Sequence, residues 1–387
     1  MADTEVKYGL AGVVADDTAV SKVMPEINSL TYRGYKVQDL ATTCRFEEAA
    51  YLIWNGELPT KAQLDRLNAA EKKERGLSKD VLAVMKRFNR RAHPMDTLRT
   101  AVSFLGQEDD EANDSSPEGL YAKSIRLFAK IPQIVAADFR VRNGKDPIAP
   151  TEDLAFSENF FHMCFGNVPA PEVVKCFDIS MTLYAEHSFN ASTFTARTIA
   201  SSMSDIYSAV TGAIGSLKGP LHGGANEAVM HMLKEVGSPD KARAWMLDAL
   251  ATKRKIMGFG HRVYRSGDSR VPTMTDAYRK MVDVIATDEA RKFWAISRIL
   301  DETMVGEKGI YPNLDFPAGP SYYLMGFEIP MFTPIFVVSR ITGWTAHVME
   351  QLASNKLVRP LSNYTGAPQR DVVPLDKRQE VRHGQSH

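Results

Sequence analysis

The stretch Gly219-Pro-Leu-His222-Gly-Gly-Ala-Asn226 sets one histidine among three glycines. Glycine adopts backbone conformations that are closed to other residues, and it lets a ligand approach the main chain closely. A histidine on such a turn can present its imidazole to a substrate, and that ring titrates near neutral pH. We therefore take His222 as a candidate acid or base, with a capping or hydrogen-bonded structural histidine as the competing interpretation.

Two more histidines lie in similar surroundings. His261 stands in Met257-Gly-Phe-Gly-His-Arg-Val-Tyr264, and His187 stands in Ala-Glu-His-Ser-Phe-Asn-Ala-Ser. A structural role stays open for each of them. As a zinc-binding trio, the three histidines would lack the i, i+4 helical pair that is typical of zinc hydrolases. The sequence thus offers three imidazoles for chemistry and leaves a metal site as the weaker alternative.

Asp315 is the candidate base. It lies in Tyr-Pro-Asn-Leu-Asp-Phe-Pro-Ala-Gly-Pro, between Leu314 and Phe316. Apolar surroundings disfavour the charged form of a carboxyl, which makes the carboxylate a stronger base. The competing interpretation is a helix N-cap for a segment that starts near Ala318.

Arg270, Arg340 and Arg359 each adjoin small or apolar residues instead of charged runs. Guanidinium groups suit bidentate binding of carboxylates, so these arginines are candidates for holding an acidic substrate. Salt bridges or exposure are the commoner fate of a lone arginine. The glycine-rich run 215–224 matches neither the dinucleotide fingerprint nor the Walker A pattern, and the sequence has no Gly-x-Ser-x-Gly elbow.

Outside these clusters the apolar pattern is helical over most of the chain. The apolar residues of 46–54 fall on one helical face before the stop at Asn55-Gly56. Further helices are predicted from a capping box at 60–63, from 94 to about 106, over 171–217 with breaks around 187–190 and 204, and over 240–253, 273–285, 288–304 and 332–352. Short alternating runs before residue 39 predict small strands, and residues 109–119 predict a solvated loop. The predicted fold class is all-α, mainly helical, with a minor β contribution near the N-terminus.

The composition fits a globular protein of two or three domains. Of 387 residues, 44% are apolar, and 47 basic side chains balance 47 acidic ones. Zero net charge argues against a dedicated nucleic-acid binder. Three cysteines without a CxxC pair argue against a disulfide framework and fit a reducing, cytoplasmic compartment. No apolar run has the length of a membrane span, and residues 1–8 lack the apolar core of a signal peptide.

Together, the motifs around His222, His261 and Asp315 resemble the three catalytic motifs of the citrate synthase family, in order and in approximate spacing. The likeness covers nearly the whole chain. It includes Gly9-Leu-Ala-Gly, Leu30-Thr-Tyr-Arg-Gly-Tyr, His93-Pro-Met-Asp, Ile341-Thr-Gly-Trp-Thr-Ala-His and Arg359-Pro-Leu-Ser. Within the family, residues 184–194 resemble the bacterial 2-methylcitrate synthase branch.

The resemblance implies a Claisen condensation of a short acyl-CoA with oxaloacetate. Asp315 would remove a proton from the carbon beside the thioester carbonyl, and neutral His222 would hydrogen-bond the enolate oxygen. His261 would donate to the ketone of oxaloacetate, and water would then hydrolyse the CoA thioester. The resemblance implies no metal and no redox cofactor, and the composition predicts no nucleic-acid or membrane partner.

The resemblance also assigns binding residues. Oxaloacetate would be held by His187, Arg270, Arg340 and Arg359, and Arg359 would reach across from the partner subunit of a homodimer. The residues expected at CoA are Lys255, Gly258, Phe259, Gly260 and Arg265. Backbone amides and positive charge in this segment suit the adenine and phosphates of CoA.

The family fold implies a homodimer of two-domain, all-α subunits. A large domain would take roughly residues 1–223 and 327–387, and a small domain would take about 224–326. The active site would lie in the cleft, and closure over oxaloacetate would shield the enolate from water. His222 then falls at the domain boundary, and His261 and Asp315 come from the small domain.

The prediction of which acyl group is transferred rests on the resemblance to the 2-methylcitrate synthase branch alone. Acetyl and propionyl differ by one methylene, which an apolar pocket discriminates by only about 1–3 kcal/mol. We expect propionyl-CoA to be preferred and acetyl-CoA to be accepted, with a primary citrate synthase as the alternative. The expected pocket-shaping positions, which could equally be plain core, are Phe316, Pro317, Tyr322 and Tyr323. A non-enzymatic helical scaffold and a zinc-dependent hydrolase are more distant alternatives.

Overall fold

The computed structural model describes residues 6–10, 12–261, 263–264 and 266–378. Residues 17–357 form one compact unit, and the described parts of the two chain ends, up to residue 16 and from residue 358, form a second. All candidate site residues that are described belong to the first unit except Arg359. The division into a large domain and a small domain at 224–326 stays a prediction.

The first unit is built almost entirely of helices, as the sequence predicted. Within the described ranges there are sixteen α-helices. They are α1 (Val37–Thr43), α2 (Phe46–Asn55), α3 (Lys61–Glu74), α4 (Lys79–Met85), α5 (Pro94–Gln107), α6 (Pro117–Arg142), α7 (Phe156–Phe165), α8 (Pro171–Tyr184), α9 (Ala191–Ser201), α10 (Ile206–Leu217), α11 (Ala225–Val236), α12 (Pro239–Ala251), α13 (Val271–Ile285), α14 (Asp288–Lys308), α15 (Asp315–Leu324) and α16 (Phe332–Ala353). None of these helices is both long and apolar enough to cross a membrane.

The predicted strands form one small antiparallel sheet. Its strands are β1 (Ser21–Met24), β2 (Ser29–Tyr32) and β3 (Tyr35–Lys36), in that order. Arg33 and Gly34 both have positive φ, 49° and 92°, as a two-residue hairpin between β2 and β3 requires. Tyr32 is fully buried, and its hydroxyl donates to the carbonyl oxygen of Glu186 at 3.1 Å. The sheet therefore supports the turn that carries His187.

Several helix ends obey the local rules that predicted them. Thr60 caps α3, and its own N–H donates to Oε1 of Gln63 at 2.9 Å, which completes the capping box. Gly56 ends α2 in the left-handed conformation, with φ of 86°. The predicted breaks near 187–190 and 204 separate α8, α9 and α10.

The segment 109–119 is more ordered than the solvated loop that its acidic composition predicted. Oγ of Ser116 accepts the N–H of Gly119 at 3.1 Å, so α6 begins inside the predicted loop. Asp109 accepts the hydroxyl of Tyr207 at 2.6 Å and pairs with Arg126 at 2.7 Å. The acidic residue at the start of this segment, Asp109, is thus held by an ion pair and a hydrogen bond to residues distant in the sequence. These two partners shield its carboxylate from solvent.

Helix α16 lies at the centre of the first unit. Eighteen of its residues are buried, as expected of a helix that is apolar on all sides. It packs against α6, α8, α9 and α10. Because α16 is buried along most of its length, Arg340 lies in the protein interior, where a charge requires compensating polar partners.

The second unit has little regular structure. Its described residues include two short 3-10 helices, Tyr8–Leu10 and Leu375–Lys377. Large apolar side chains stay exposed there, among them Tyr8, Leu361 and Tyr364. A contiguous patch of exposed apolar side chains is typical of a surface that contacts another molecule.

Candidate active site

Asp315 occupies the first position of α15, and Leu314 stands at the cap position. The interpretation of Asp315 as an N-cap for a helix near Ala318 is therefore wrong. Its Oδ1 accepts a hydrogen bond of 2.6 Å from the hydroxyl of Tyr184. Burial raises the pKa of Asp315 to about 6, against the opposing effects of this hydrogen bond and of the Arg270 charge. The carboxylate is thus more basic than a free aspartate and still ionised above pH 6.

The second and third motifs lie side by side. Gly260 donates its N–H to the carbonyl oxygen of Tyr311 at 2.8 Å, and Asn313 donates its N–H to that of Gly258 at 2.9 Å. The side chain of Asn313 also donates to the carbonyl oxygen of Gly260 at 2.9 Å. These bonds bring the segment that ends in His261 against the segment that leads into Asp315.

Gly258 is required by this pairing. Its φ is 86°, and a Cβ at this position would lie 2.4 Å from Cγ2 of Val229 and 3.1 Å from the ring of Phe316. A side chain here would collide on two sides and strain the backbone. The glycine therefore lets the 257–261 segment pass close to α11 and α15.

His261 is neutral and has a defined tautomer. Its Nδ1 accepts the N–H groups of Val263 and Tyr264, at 3.0 and 3.3 Å. A backbone N–H can only donate, so the ring proton is on Nε2. Burial and the nearby Arg270 charge lower the pKa of His261 to about 4. Nε2–H is therefore a neutral donor at physiological pH.

His222 has the opposite tautomer. Its Nε2 accepts the backbone N–H of Ser192 at 3.2 Å and lies 2.8 Å from the Ser192 hydroxyl. The ring proton is accordingly on Nδ1. Burial, followed by the Arg340 charge, lowers the pKa of His222 to about 4. This imidazole is also a neutral donor, presented from the loop before α11.

His187 is buried beside His261, with 5.1 Å between the ring centroids. Burial and the Arg270 charge hold its pKa well below the usual range. Its buried Nε2 has no hydrogen-bond partner among the described residues. A buried polar atom without a partner is costly, and a bound polar substrate is one way to satisfy it.

Arg270 is buried and held by a carboxylate that the sequence reading did not single out. Its Nε donates to Oδ1 of Asp268 at 2.9 Å, and its Nη2 donates to Oδ2 at 2.7 Å. Burial alone would raise the pKa of Asp268, but the charge and the hydrogen bonds of Arg270, added to the effect of two nearby imidazoles, together outweigh burial and hold this pKa well below the usual range. Asp268 Oδ2 also accepts the N–H of Leu314 at 3.2 Å, which ties this pair to the Asp315 segment.

Arg340 and Arg270 both reach the C-terminal end of α8. Nε of Arg340 donates to the carbonyl oxygen of Tyr184 at 2.6 Å, and Nη1 of Arg270 donates to that of Leu183 at 3.4 Å. The last carbonyls of a helix lack intrahelical donors and carry partial negative charge, so cations are stable there. Burial lowers the pKa of Arg340 to about 10, and repulsion from Arg270 adds to the effect.

Tyr184 connects these groups. Its hydroxyl holds Asp315, its carbonyl oxygen holds Arg340, and its ring packs on Phe336 with 4.3 Å between centroids. The ring of Phe336 also contacts Arg340 and lies 6.5 Å from the ring of His222. The structure thus brings together six predicted site residues, which are His187, His222, His261, Arg270, Asp315 and Arg340.

The remaining predicted residues are the five assigned to CoA and Arg359. Lys255 is exposed, and Gly258, Phe259 and Gly260 form the segment paired with 311–313. Arg359 belongs to the second unit, and Arg265 lies outside the described residues. Among the described residues, no group of three His, Cys, Asp or Glu side chains has the arrangement of a metal site.

Four residues of the cluster were missed as site residues. Tyr184, Ser192 and Tyr264 lie inside stretches that were quoted for the resemblance, so their position was the only available signal. Asp268 lies outside those stretches. Its role is to pair with the side chain of Arg270, and no sequence motif marks it. Only the folded structure shows this pairing.

The comparison with known families identifies the family of this chain. Residues 9–361 match the family described as "Citrate synthase, C-terminal domain". The chain belongs to the citrate synthase family. As a member, it is a condensing acyltransferase, so the alternatives of a non-enzymatic scaffold and of a zinc hydrolase are wrong.

Relatives carry two names. The chain is 57% identical over 368 residues to "Citrate synthase" of Mycolicibacterium smegmatis, with 95% of this chain and 97% of the relative covered. It is 56% identical over 370 residues to "2-methylcitrate synthase" of Mycobacterium tuberculosis, with 96% and 93% covered. Sequence identity of this size supports either acyl group.

The fold matches that of solved family members. One is a ternary complex of carboxymethyl coenzyme A and oxaloacetate with citrate synthase from Thermoplasma acidophilum. Its TM-score is 0.89 at 28% identity, over 97% of this chain and 100% of that one. The predicted citrate synthase-like fold is thus confirmed.

Proposed function

We propose that this enzyme is a 2-methylcitrate synthase, which condenses propionyl-CoA with oxaloacetate and water to give 2-methylcitrate and CoA. The observation that carries the proposal is the position of Asp315. A carboxylate with a raised pKa lies in one cluster with two neutral imidazole donors and two buried arginines. A weak carbon acid requires such a base, and a dicarboxylate requires such cations.

The first step is proton removal from C2 of the propionyl thioester by the Asp315 carboxylate. Negative charge then develops on the thioester oxygen, where the Nδ1–H of His222 can donate. A neutral donor with a lowered pKa stabilises an enolate without first protonating the base. The tautomer set by Ser192 places the proton on the nitrogen that is free for this role.

The second step forms the carbon–carbon bond. The enolate carbon attacks the ketone carbon of oxaloacetate, and the Nε2–H of His261 donates to the ketone oxygen. Water then hydrolyses the thioester of the condensed product and releases CoA. Every proton in this sequence moves between the substrates, water and the three side chains, so the proposed chemistry uses no metal or other cofactor.

Oxaloacetate is proposed to bind to His187, Arg270 and Arg340. The unpartnered Nε2 of His187 and the buried guanidinium of Arg340 supply donors in the interior. Arg359 is proposed to join them from the partner subunit of a homodimer. The exposed apolar side chains in the segment from residue 358 favour contact of that segment with a second chain.

CoA is proposed to lie against the segment 255–260. The positive φ values of Gly258 and Gly260, 86° and 77°, give this segment a backbone without side chains at two points. Main-chain N–H groups in such a segment bind phosphate oxygens and adenine nitrogens well. Lys255 and Arg265 would add positive charge. We further propose closure of a small domain (224–326) on a large one (1–223, 327–387) and a cytoplasmic location.

Propionyl-CoA is the proposed first choice because residues 184–194 resemble the 2-methylcitrate synthase branch. A pocket wide enough for propionyl cannot exclude acetyl by steric clash, and one methylene is worth about 1–3 kcal/mol. Acetyl-CoA is therefore proposed as a slower substrate. A primary citrate synthase is the second candidate, since a relative at 57% identity carries that name.

The test is thiol release from CoA in the presence of oxaloacetate, with acetyl-CoA and propionyl-CoA run side by side and Asp315→Ala as control. We expect release with both thioesters, a higher kcat/KM with propionyl-CoA, and loss of release in the variant. A tenfold preference for acetyl-CoA would keep the chemistry and favour a primary citrate synthase. No release with either thioester would refute the proposed function.

A further inference from the structure

Glu186, the residue before His187, has a fully buried carboxylate. Its Oε1 accepts three hydrogen bonds, from the Ser21 hydroxyl at 2.9 Å, from Nε2 of His347 at 2.9 Å and from the Ser188 N–H at 2.5 Å. Its Oε2 has no partner among the described residues. Three donors thus converge on one oxygen directly behind the candidate substrate site.

A chain of polar contacts leads from Glu186 to the surface. Arg197 donates from Nη1 to Nδ1 of His347 at 3.2 Å and to Oε2 of Glu350 at 2.8 Å. A guanidinium can only donate, so Nδ1 of His347 is the acceptor and its Nε2–H points to Glu186. The two contacts fix the orientation of the His347 ring, with its Nε2–H directed at Glu186.

One face of α16 presses on the turn that contains Glu186. Arg340, Gly343 and His347 are three, four and seven positions apart, a spacing that places them on the same side of a helix. A Cβ on Gly343 would lie 2.3 Å from Oε2 of Glu186 and 2.5 Å from the carbonyl oxygen of Ala185. Arg340, from the same face, holds the carbonyl oxygen of Tyr184. The helix therefore contacts the turn at Tyr184, at Ala185 and at Glu186 itself.

The turn itself is fixed by Glu186. Ser188 has a φ of 52°, which is unfavourable for a residue with a side chain, and its N–H is held by Glu186 Oε1 and by the Ser21 hydroxyl. Tyr32 holds the backbone of Glu186 from the other side. His187 stands between these two fixed points, so its ring direction depends on the Glu186 carboxylate.

A buried carboxylate is weak evidence for stability, because apolar residues of similar size often stabilise a core as well. The position of Glu186 points to another role. It lies in the turn that supplies His187 and against α16, the helix that supplies Arg340, and both are candidate ligands of oxaloacetate. We infer that Glu186 is a positioning residue, which holds His187 and Arg340 in the arrangement that binds oxaloacetate. This inference rests on the proposed function. It assigns Glu186 to the keto-acid side of the reaction and leaves the thioester side untouched.

Two substitutions at Glu186 separate positioning from simple damage. Glu186→Ala removes the acceptor, and we expect the KM for oxaloacetate to rise about tenfold or more while the KM for the acyl-CoA changes less than about threefold. Glu186→Gln keeps a carbonyl oxygen for the three donors. We expect it to recover most of the loss, to within about threefold of the wild-type KM. Glu71→Gln is the matched control, since Glu71 of α3 is also a buried carboxylate and pairs with Arg75.

Ser21→Ala tests the same idea without a large cavity. It removes the hydroxyl that contacts both Glu186 and Ser188. We expect the KM for oxaloacetate to rise about threefold, with no change in Ser29→Ala, which truncates another buried serine of the same sheet. If Glu186→Ala does not fold, these two serine variants test the inference in its place. A rise in the KM for oxaloacetate in Ser21→Ala but not in Ser29→Ala would support it, and equal KM values in the two variants would overturn it.

Oxaloacetate binding without acyl-CoA, measured by titration calorimetry on the same variants, separates the two proposals. Active wild-type enzyme together with an unchanged oxaloacetate KM and affinity in Glu186→Ala would overturn this inference and leave the proposed function standing. Equal losses in the Ala and Gln variants, or a loss confined to kcat or thermal stability, would also overturn it. Wild-type protein that neither binds oxaloacetate nor releases thiol would refute the proposed function, and the inference would fall with it.

Discussion

The hydroxyl of Tyr184 donates a hydrogen bond of 2.6 Å to Oδ1 of Asp315, a residue 131 positions away in the chain. Burial raises the pKa of Asp315 to about 6, and the Tyr184 bond is the strongest effect that opposes it. The candidate base is therefore balanced between two environments. It is basic enough to be useful and acidic enough to be ionised at neutral pH.

Tyr184→Phe removes the effect that lowers the pKa of Asp315. A hydrogen bond to a charged group is worth about 1.5–3 kcal/mol, so we expect the acid limb of the pH profile of kcat/KM to move up by about one to two units. The measurement is thiol release between pH 5 and 9. Tyr207→Phe is the matched control, because it removes a 2.6 Å bond to a different carboxylate, Asp109. An unmoved acid limb in Tyr184→Phe would refute the role of this bond.

Asp315→Asn is expected to stabilise the fold while it abolishes catalysis. The folded pKa of about 6 lies above the ordinary value of 3.8. The stability that the protonated carboxyl contributes is full below about pH 4 and is lost as the pH rises through about 6. Above that pH the charged, buried group destabilises the wild type by about 1–3 kcal/mol, and the amide carries no such charge.

Denaturant unfolding of wild type and Asp315→Asn at pH 5, 6 and 8 checks this stability difference. The variant should be more stable at pH 8, and the difference should shrink toward pH 5. A variant that is less stable than wild type at pH 8 would contradict the assignment of burial as the main cause of the raised pKa.

His222→Gln tests the donor role of the Nδ1–H group. Loss of a donor to a developing oxyanion lowers kcat by about 10²–10³-fold. Affinity for oxaloacetate should stay unchanged, because His222 faces the thioester in the proposed reaction. His231→Gln is the control, since His231 is exposed on the following helix α11. A weaker oxaloacetate affinity in His222→Gln, at unchanged kcat, would refute this role and would indicate that His222 contacts oxaloacetate instead of the thioester.

The sequence motifs predicted the members of this cluster better than their interactions. His222, His261 and Asp315 each stand in a short stretch with an unusual composition, which local pattern can find. The Tyr184–Asp315 bond joins residues from α8 and α15, and no periodicity encodes that contact. The partner of Arg270 was likewise hidden, because Asp268 lies two positions away and looks like any surface aspartate.

The fold shows the same division. Helix caps such as Thr60 and stops such as Gly56 depend on neighbours within four residues, so local sequence predicted them. Asp109 depends on Arg126 and Tyr207, which only tertiary packing brings near. The composition of residues 109–119 predicted a solvated loop because local composition carries no information about partners that are distant in the sequence.

Gly258→Ala is expected to weaken acyl-CoA binding. The added methyl would meet Val229 at 2.4 Å and Phe316 at 3.1 Å. The backbone at residue 258, with a φ of 86°, is also strained for alanine. Overpacking costs about 1–3 kcal/mol, and the left-handed backbone adds about 1–2 kcal/mol. Because Gly258 also accepts the N–H of Asn313, relief of the clash must displace the 257–261 segment from its partner. The KM for acyl-CoA should therefore rise, and thermal stability should fall.

Gly309→Ala separates the clash from the backbone strain. Gly309 also has a positive φ, 63°, but a Cβ there would meet nothing within 4 Å. This variant should lose only about 1–2 kcal/mol of stability and keep the wild-type KM for acyl-CoA. Steady-state kinetics and thermal unfolding of both variants make the comparison. If both variants raise the acyl-CoA KM equally, close packing at Gly258 is not what shapes the CoA segment, and a general loss of stability explains the effect.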